Sequence, residues 1–126
     1  MLSIDEMNIL LDEIAEELPE ELFRDLNGGI NLLNETKLSV NDPNGGLYIL
    51  GAYHRDQMGR YIVIYYGSIC AVHGYKTREE LRPCLKKLLT HELTHHIESL
   101  AGARDLEIKD KRKLENYFQV KQKRSK

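Results

Sequence analysis

The sequence predicts an α+β fold, and three observations carry that prediction. Helical periodicity marks residues 3–17 and 81–100, and the stretch between them switches to short β-rich runs. The turn-forming run Asn41-Asp42-Pro43-Asn44-Gly45-Gly46 divides that middle stretch. With 126 residues, 41% hydrophobic and 30% charged, the chain has the size and composition of a single globular domain spanning 1–126.

The first element is a helix. Ser3 and Glu6 stand at capping-box spacing, and Ile4, Met7, Leu10, Leu11, Ile14 and Leu18 recur at helical intervals, so the helix covers about 3 to 17. Pro19 restarts it for a further turn over Glu20 to Leu26, which Gly28-Gly29 ends. Ile30 to Asn34, Leu47 to His54 and Arg60 to Tyr66 are then expected as strands of a mostly antiparallel sheet. Arg55 to Gly59 is short enough to join the last two as a hairpin. Gly67 to Lys76 is expected as a loop.

Thr77 and Glu80 repeat the capping-box spacing and open a long helix from Leu81 through Leu100, with Gly102 as its expected stop. Pro83 falls near the start, as a first-turn residue or a kink. An amphipathic C-terminal helix is expected over about Lys111 to Val120, with Leu114, Tyr117 and Phe118 as its apolar contacts, and the end from about 119 frays.

Composition excludes several roles. No apolar run approaches the roughly 18 residues of a membrane span, and the N-terminus lacks the basic-then-apolar pattern of an export signal. Cys70 and Cys84 form no CxxC pair, which fits a reducing cytoplasm. Residues 1–103 carry 9 Lys/Arg against 16 Asp/Glu, whereas residues 104–126 carry 9 against 4. That basic tail is expected as a solvated end, and a nucleic-acid partner is not expected.

The chemistry lies in His91-Glu92-Leu93-Thr94-His95, an HExxH pentapeptide inside the long helix. Two histidines four apart project from one helix face and supply two zinc ligands, and the glutamate between them is placed to take a proton from a water at the metal. At about 100° per residue, with His91 at zero, His95 falls near 40° and Glu92 near 100°. On the same wheel Leu85, Leu89, Leu93, Ile97 and Leu100 fall between about 120° and 240°, so the apolar stripe lies opposite the histidines. His96, near about 140°, is expected to be structural.

A catalytic zinc site needs a third protein ligand. Asp105 is the first choice, because Gly102 would end the helix and let the chain fold back. Glu98 is the rival, on the histidine face at about −20° but about 4.5 Å further along the axis than His95. Glu107 and Asp110 are lesser candidates. Cys84 faces the histidines but lies about 10 Å from His91 along the axis, which suits packing. Cys70 keeps open a Cys-His-His amide-hydrolase site of the deformylase kind.

The chain resembles the small bacterial zincin-like metallopeptidase family. The likeness is carried by Leu18-Pro19-Glu20-Glu21-Leu22, Ile62-Val63-Ile64-Tyr65-Tyr66-Gly67, Thr77-Arg78-Glu79-Glu80-Leu81 and, most specifically, Leu89-Thr90-His91-Glu92-Leu93-Thr94-His95-His96. The resemblance implies a zincin-like fold and a zinc peptidase cleaving peptide or protein substrates, with Glu92 as general base. It also implies an aspartate ligand in a Gly-x-x-Asp two residues after HExxH. Here six residues, His96 to Ala101, stand before Gly102-Ala103-Arg104-Asp105. The metzincin pattern is absent, since the methionines are only Met1, Met7 and Met58.

The expected substrate lies extended on a sheet edge, and Arg60 to Tyr66 is the strand expected to offer it. Tyr53, Tyr65, Tyr66 and His73 are candidate donors to a developing oxyanion, with core or surface roles as the alternative. Two other classes stand beside the peptidase: a non-catalytic zinc module that binds a partner, and a metal-free interaction adaptor.

Overall fold

The structure, a computed structural model, describes residues 1–40 and 46–104 of the chain. It is a small α+β fold with three helices and a short mixed sheet. Helix α1, Ile4–Glu17, starts from the expected capping box: the Glu6 amide donates to Ser3 Oγ and the Ser3 amide to Glu6 Oε1. It stops ahead of Pro19, whose ring disfavours a helical Leu18, and a 3-10 turn follows over Glu20–Phe23. Met7, Leu10, Leu11 and Ile14 form its buried face.

The strands are β1 (Gly29–Leu33), β2 (Lys37–Leu38), β3 (Tyr48–Ile49), β4 (Gly51–Asp56) and β5 (Gly59–Tyr65). The main sheet has the order β1-β5-β4, with β1 parallel and β4 antiparallel to β5, so it is mixed. β2 and β3 form a separate antiparallel pair. The strand expected over Leu47 to His54 is therefore split, and its two parts join different sheets. The expected β4–β5 hairpin is present, closing with Asp56 opposite Gly59. β5 lies in the middle, with both edges paired, which corrects the expectation that it offers a free edge. Among the described residues the sheet's edges belong to β1 and β4.

The loop expected over Gly67 to Lys76 is helical up to His73, and only residues 74–76 form a turn. Helix α2, Tyr66–His73, begins directly after β5. Gly67 is there for contact rather than flexibility: a Cβ would collide with Thr36 Oγ1, and its amide donates to the Glu35 carbonyl at 3.0 Å. Ser68, fully buried, accepts from the Lys37 amide and donates to the Lys37 carbonyl, tying α2 to β2.

Helix α3, Arg78–Arg104, starts from the Thr77–Glu80 capping box. Pro83 lies in its second turn, where the missing N–H leaves only the carbonyl of exposed Glu79 to water. The helix passes through Gly102, so the turn expected there is absent. Leu81, Leu85, Leu89, Leu93, Ile97 and Leu100 are at most 4% exposed and share one core with α1 and with Ile62 and Ile64 of β5. Glu13 and Glu17 of α1 pair with Arg78, Arg82 and Lys86 across the outside, a screened set of modest worth. No helix among the described residues is long and apolar enough to cross a membrane. Asp105, Glu107, Asp110, the expected C-terminal helix and residues 41–45 lie outside the described residues.

Candidate metal centre

The pentapeptide lies midway along α3, with Leu93 in the leucine row and His91 and His95 on the side away from it, as the helical wheel predicts. His91 and His95 are exposed, while Glu92 is 5% exposed. One turn of helix stacks the two imidazoles edge to face, and their Nε2 atoms converge to 3.2 Å. Zn–N bonds of about 2.0–2.1 Å to both atoms would subtend an angle of about 100°, close to tetrahedral. At this distance one neutral imidazole can donate its Nε2–H to the other, and a divalent cation could take the place of that proton, so the spacing is compatible with two zinc ligands.

The histidines open into a cleft of about 790 Å³ between α3 and the edge strand β4. Gly51, Ala52, Tyr53 and Arg55 supply one wall; His91, Glu92, His95, Glu98 and Ser99 supply the other. Gly51 lets the strand approach, since a Cβ there would lie 3.1 Å from the Val63 carbonyl oxygen and 3.3 Å from Leu88 Cδ1. Burial raises the Glu92 carboxyl above its ordinary value, and the charges of His91, His95 and His54 oppose that shift. A carboxylate held this way is a proton acceptor facing the histidine pair.

His96 is fully buried and structural, as its wheel position predicts. The Arg24 carbonyl can only accept, so His96 Nε2 donates to it at 2.7 Å. Burial, the largest influence, lowers the His96 pKa and keeps the ring neutral, which leaves Nδ1 to accept from the Tyr53 hydroxyl at 2.9 Å. This chain ties the 3-10 turn, α3 and β4 together one residue past His95. It also commits the Tyr53 hydroxyl. The Tyr66 hydroxyl is likewise committed, to the Leu2 carbonyl. Tyr65 is buried in β5, and His73 ends α2 away from the cleft lining.

Among the described residues no group of three His, Cys, Asp or Glu side chains closes around one point. Glu98 lines the cleft without completing such a group. Cys70 lies in α2, and neither Cys70 nor Cys84 lines the cleft, so the Cys-His-His reading gains no support. Arg55 and Ser99 are cleft residues that motif reasoning missed. The one signal for Arg55 was strand alternation, which puts residues 51, 53 and 55 on one face.

No family model and no curated protein matches the chain. Among solved structures it is similar to a conserved hypothetical protein from Thermo thermophilus, with a TM-score of 0.68 and 30% identity, over 80% of this chain and 99% of that one.

Proposed function

We propose that this chain, which belongs to the same family as that conserved hypothetical protein of Thermo thermophilus, is a zinc-dependent peptidase of the zincin type. The observation that supports this most is the 3.2 Å convergence of His91 and His95 Nε2 in a cleft that Glu92 also lines. His91 and His95 would hold the ion as neutral imidazoles, with Asp105 or Glu98 as the third protein ligand. When bound, zinc supplies Lewis acidity toward a water molecule and a peptide carbonyl. Glu92 takes the proton of the attacking water and delivers it to the leaving amine nitrogen. The free edge of β4 offers backbone N–H and C=O groups on which an extended peptide can align. Cys70 and Cys84 are free thiols, which supports a place in the reducing cytoplasm.

Metal analysis of protein purified without added zinc tests the centre. Wild type is expected to hold about one zinc per chain, and His91→Ala and His95→Ala close to none. Metal content near zero that zinc addition does not restore would sink the reading. Separate Asp105→Ala and Glu98→Ala variants identify the third ligand by the same readout. Cleavage of a peptide library by wild type and by Glu92→Gln then separates a peptidase from a zinc module that only binds. Equal cleavage by both would remove Glu92 as the base, and no cleavage by either would leave a binding module.

A further inference from the structure

We infer that Arg55 is the specificity residue of the cleft, selecting peptides with a carboxylate about two to three residues from the bond to be cleaved. This rests on the peptidase reading and adds a substrate class to it.

Arg55 shares the cleft-facing side of β4 with Gly51 and Tyr53. Its guanidinium is exposed, and its one hydrogen bond among the described residues is a long one, Nη1 to Ser99 Oγ at 3.4 Å. Neither Arg55 nor Glu98, which also lines the cleft, takes part in an ion pair among the described residues. A tether between strand and helix does not explain the residue. Tyr53 and buried His96 already make that connection at 2.9 Å, whereas a 3.4 Å contact between exposed groups holds little. What remains is a planar cation at one end of the cleft, with a geometry suited to bidentate carboxylate recognition.

Position fixes what it can reach. Ser99 is six residues past the midpoint of His91 and His95, about 9 Å along the helix. An extended peptide covers that distance in two to three residues at about 3.4 Å each. β4 runs in the same direction as α3, with Gly51 against Leu88 at one end and Arg55 against Ser99 at the other. A peptide added antiparallel to β4, the more stable pairing, places its N-terminal half at Arg55. Side chains on the same face of neighbouring strands lie about 5 Å apart, within guanidinium reach. The carboxylate is thus an Asp or Glu side chain on the N-terminal side of the cleaved bond.

The test measures binding by the full 126-residue chain, supplied with zinc and carrying Glu92→Gln so that peptides are not turned over. Labelled peptides with an amidated C-terminus carry Glu, Gln or Lys at successive positions, and one neutral peptide keeps its C-terminal carboxylate; fluorescence anisotropy gives each Kd. A Glu peptide is expected to bind about fivefold tighter than its Gln counterpart, the scale of one partly screened ion pair. Arg55→Gln should abolish that preference, and Arg55→Glu should turn it toward Lys, a reversal that misfolding cannot produce. If the free C-terminal carboxylate is the group preferred, and Arg55→Gln removes the preference, Arg55 still reads a carboxylate but the peptide runs parallel to β4. Peptides that bind with equal Glu and Gln affinity, or a preference that survives Arg55→Gln, overturn the inference and leave the peptidase reading standing. If no peptide binds the zinc-supplied protein, both fall.

Discussion

Leu89 and His91 stand two residues apart on α3, yet one is fully buried and the other is exposed in a cleft. The same contrast runs along the helix. Its leucine row is held by α1 and β5, whereas among the described residues the histidine face meets β4 across the cleft. A core residue needs only size and apolarity, so the leucine row follows from periodicity alone. A site residue needs particular atoms at particular distances, and the rigidity that holds His91 and His95 at 3.2 Å comes from the packing behind them. Substitutions on the two faces should therefore fail in different ways.

The largest expected effect lies on the cleft face. Glu92→Gln keeps side-chain volume and hydrogen bonding but cannot accept the proton, so cleavage should fall by about 10²–10⁴-fold. Zinc content and melting temperature should stay near wild type. A variant that lost its metal or its fold together with activity would show that Glu92 belongs to the core half of the comparison. On the opposite face, Leu89→Ala should cost about 2–5 kcal/mol in urea denaturation, the range for truncating a fully buried leucine. Its folded fraction should still bind zinc. Loss of zinc from that fraction would mean the two faces are not separable.

These two faces were legible in the sequence because both are local: one helix, one periodicity, one pentapeptide. What surrounds them was not. β5, with its run Ile62-Val63-Ile64, looked like the strand nearest the active helix, yet it is central because β1 returns from far along the chain to pair with it. No local pattern announces such a pairing. Gly67-Ser68 resembled loop chemistry, but both are small or polar to meet residues 35–37, a tertiary demand that overrides the turn signal. Gly102 misled in the opposite sense, since the helix simply continues through it. The cleft's second wall, and Arg55 with it, became visible only when β4 was found to be an edge.

A smaller effect sharpens the boundary between the faces. Tyr53→Phe removes the hydroxyl that donates to His96 and leaves a buried Nδ1 without that partner. The expected cost is about 1–3 kcal/mol, comparable with other unsatisfied buried groups. Because His96 adjoins His95, zinc affinity should fall as well, measured by competition with a chelator. Stability loss with zinc affinity unchanged would show that the Tyr53–His96–Arg24 chain serves the core alone.

The smallest effect comes from a group on neither face and serves as a reference for pH. Burial, with a lesser contribution from the Lys76 charge, lowers the His73 pKa below its ordinary value of 6.5. The folded protein therefore holds fewer protons at His73 than the unfolded chain does when the pH lies below that value. By linkage, no penalty exists well above it, and stability is lost as pH falls through 6.5 toward the lower folded-state pKa. His73→Gln removes this contribution. Urea midpoints of both proteins at about pH 7.5 and about pH 5 should show wild type losing more on acidification, with the other histidines cancelling in the difference. Equal losses would place the acid sensitivity elsewhere, and the histidines of α3 would be the first groups to substitute.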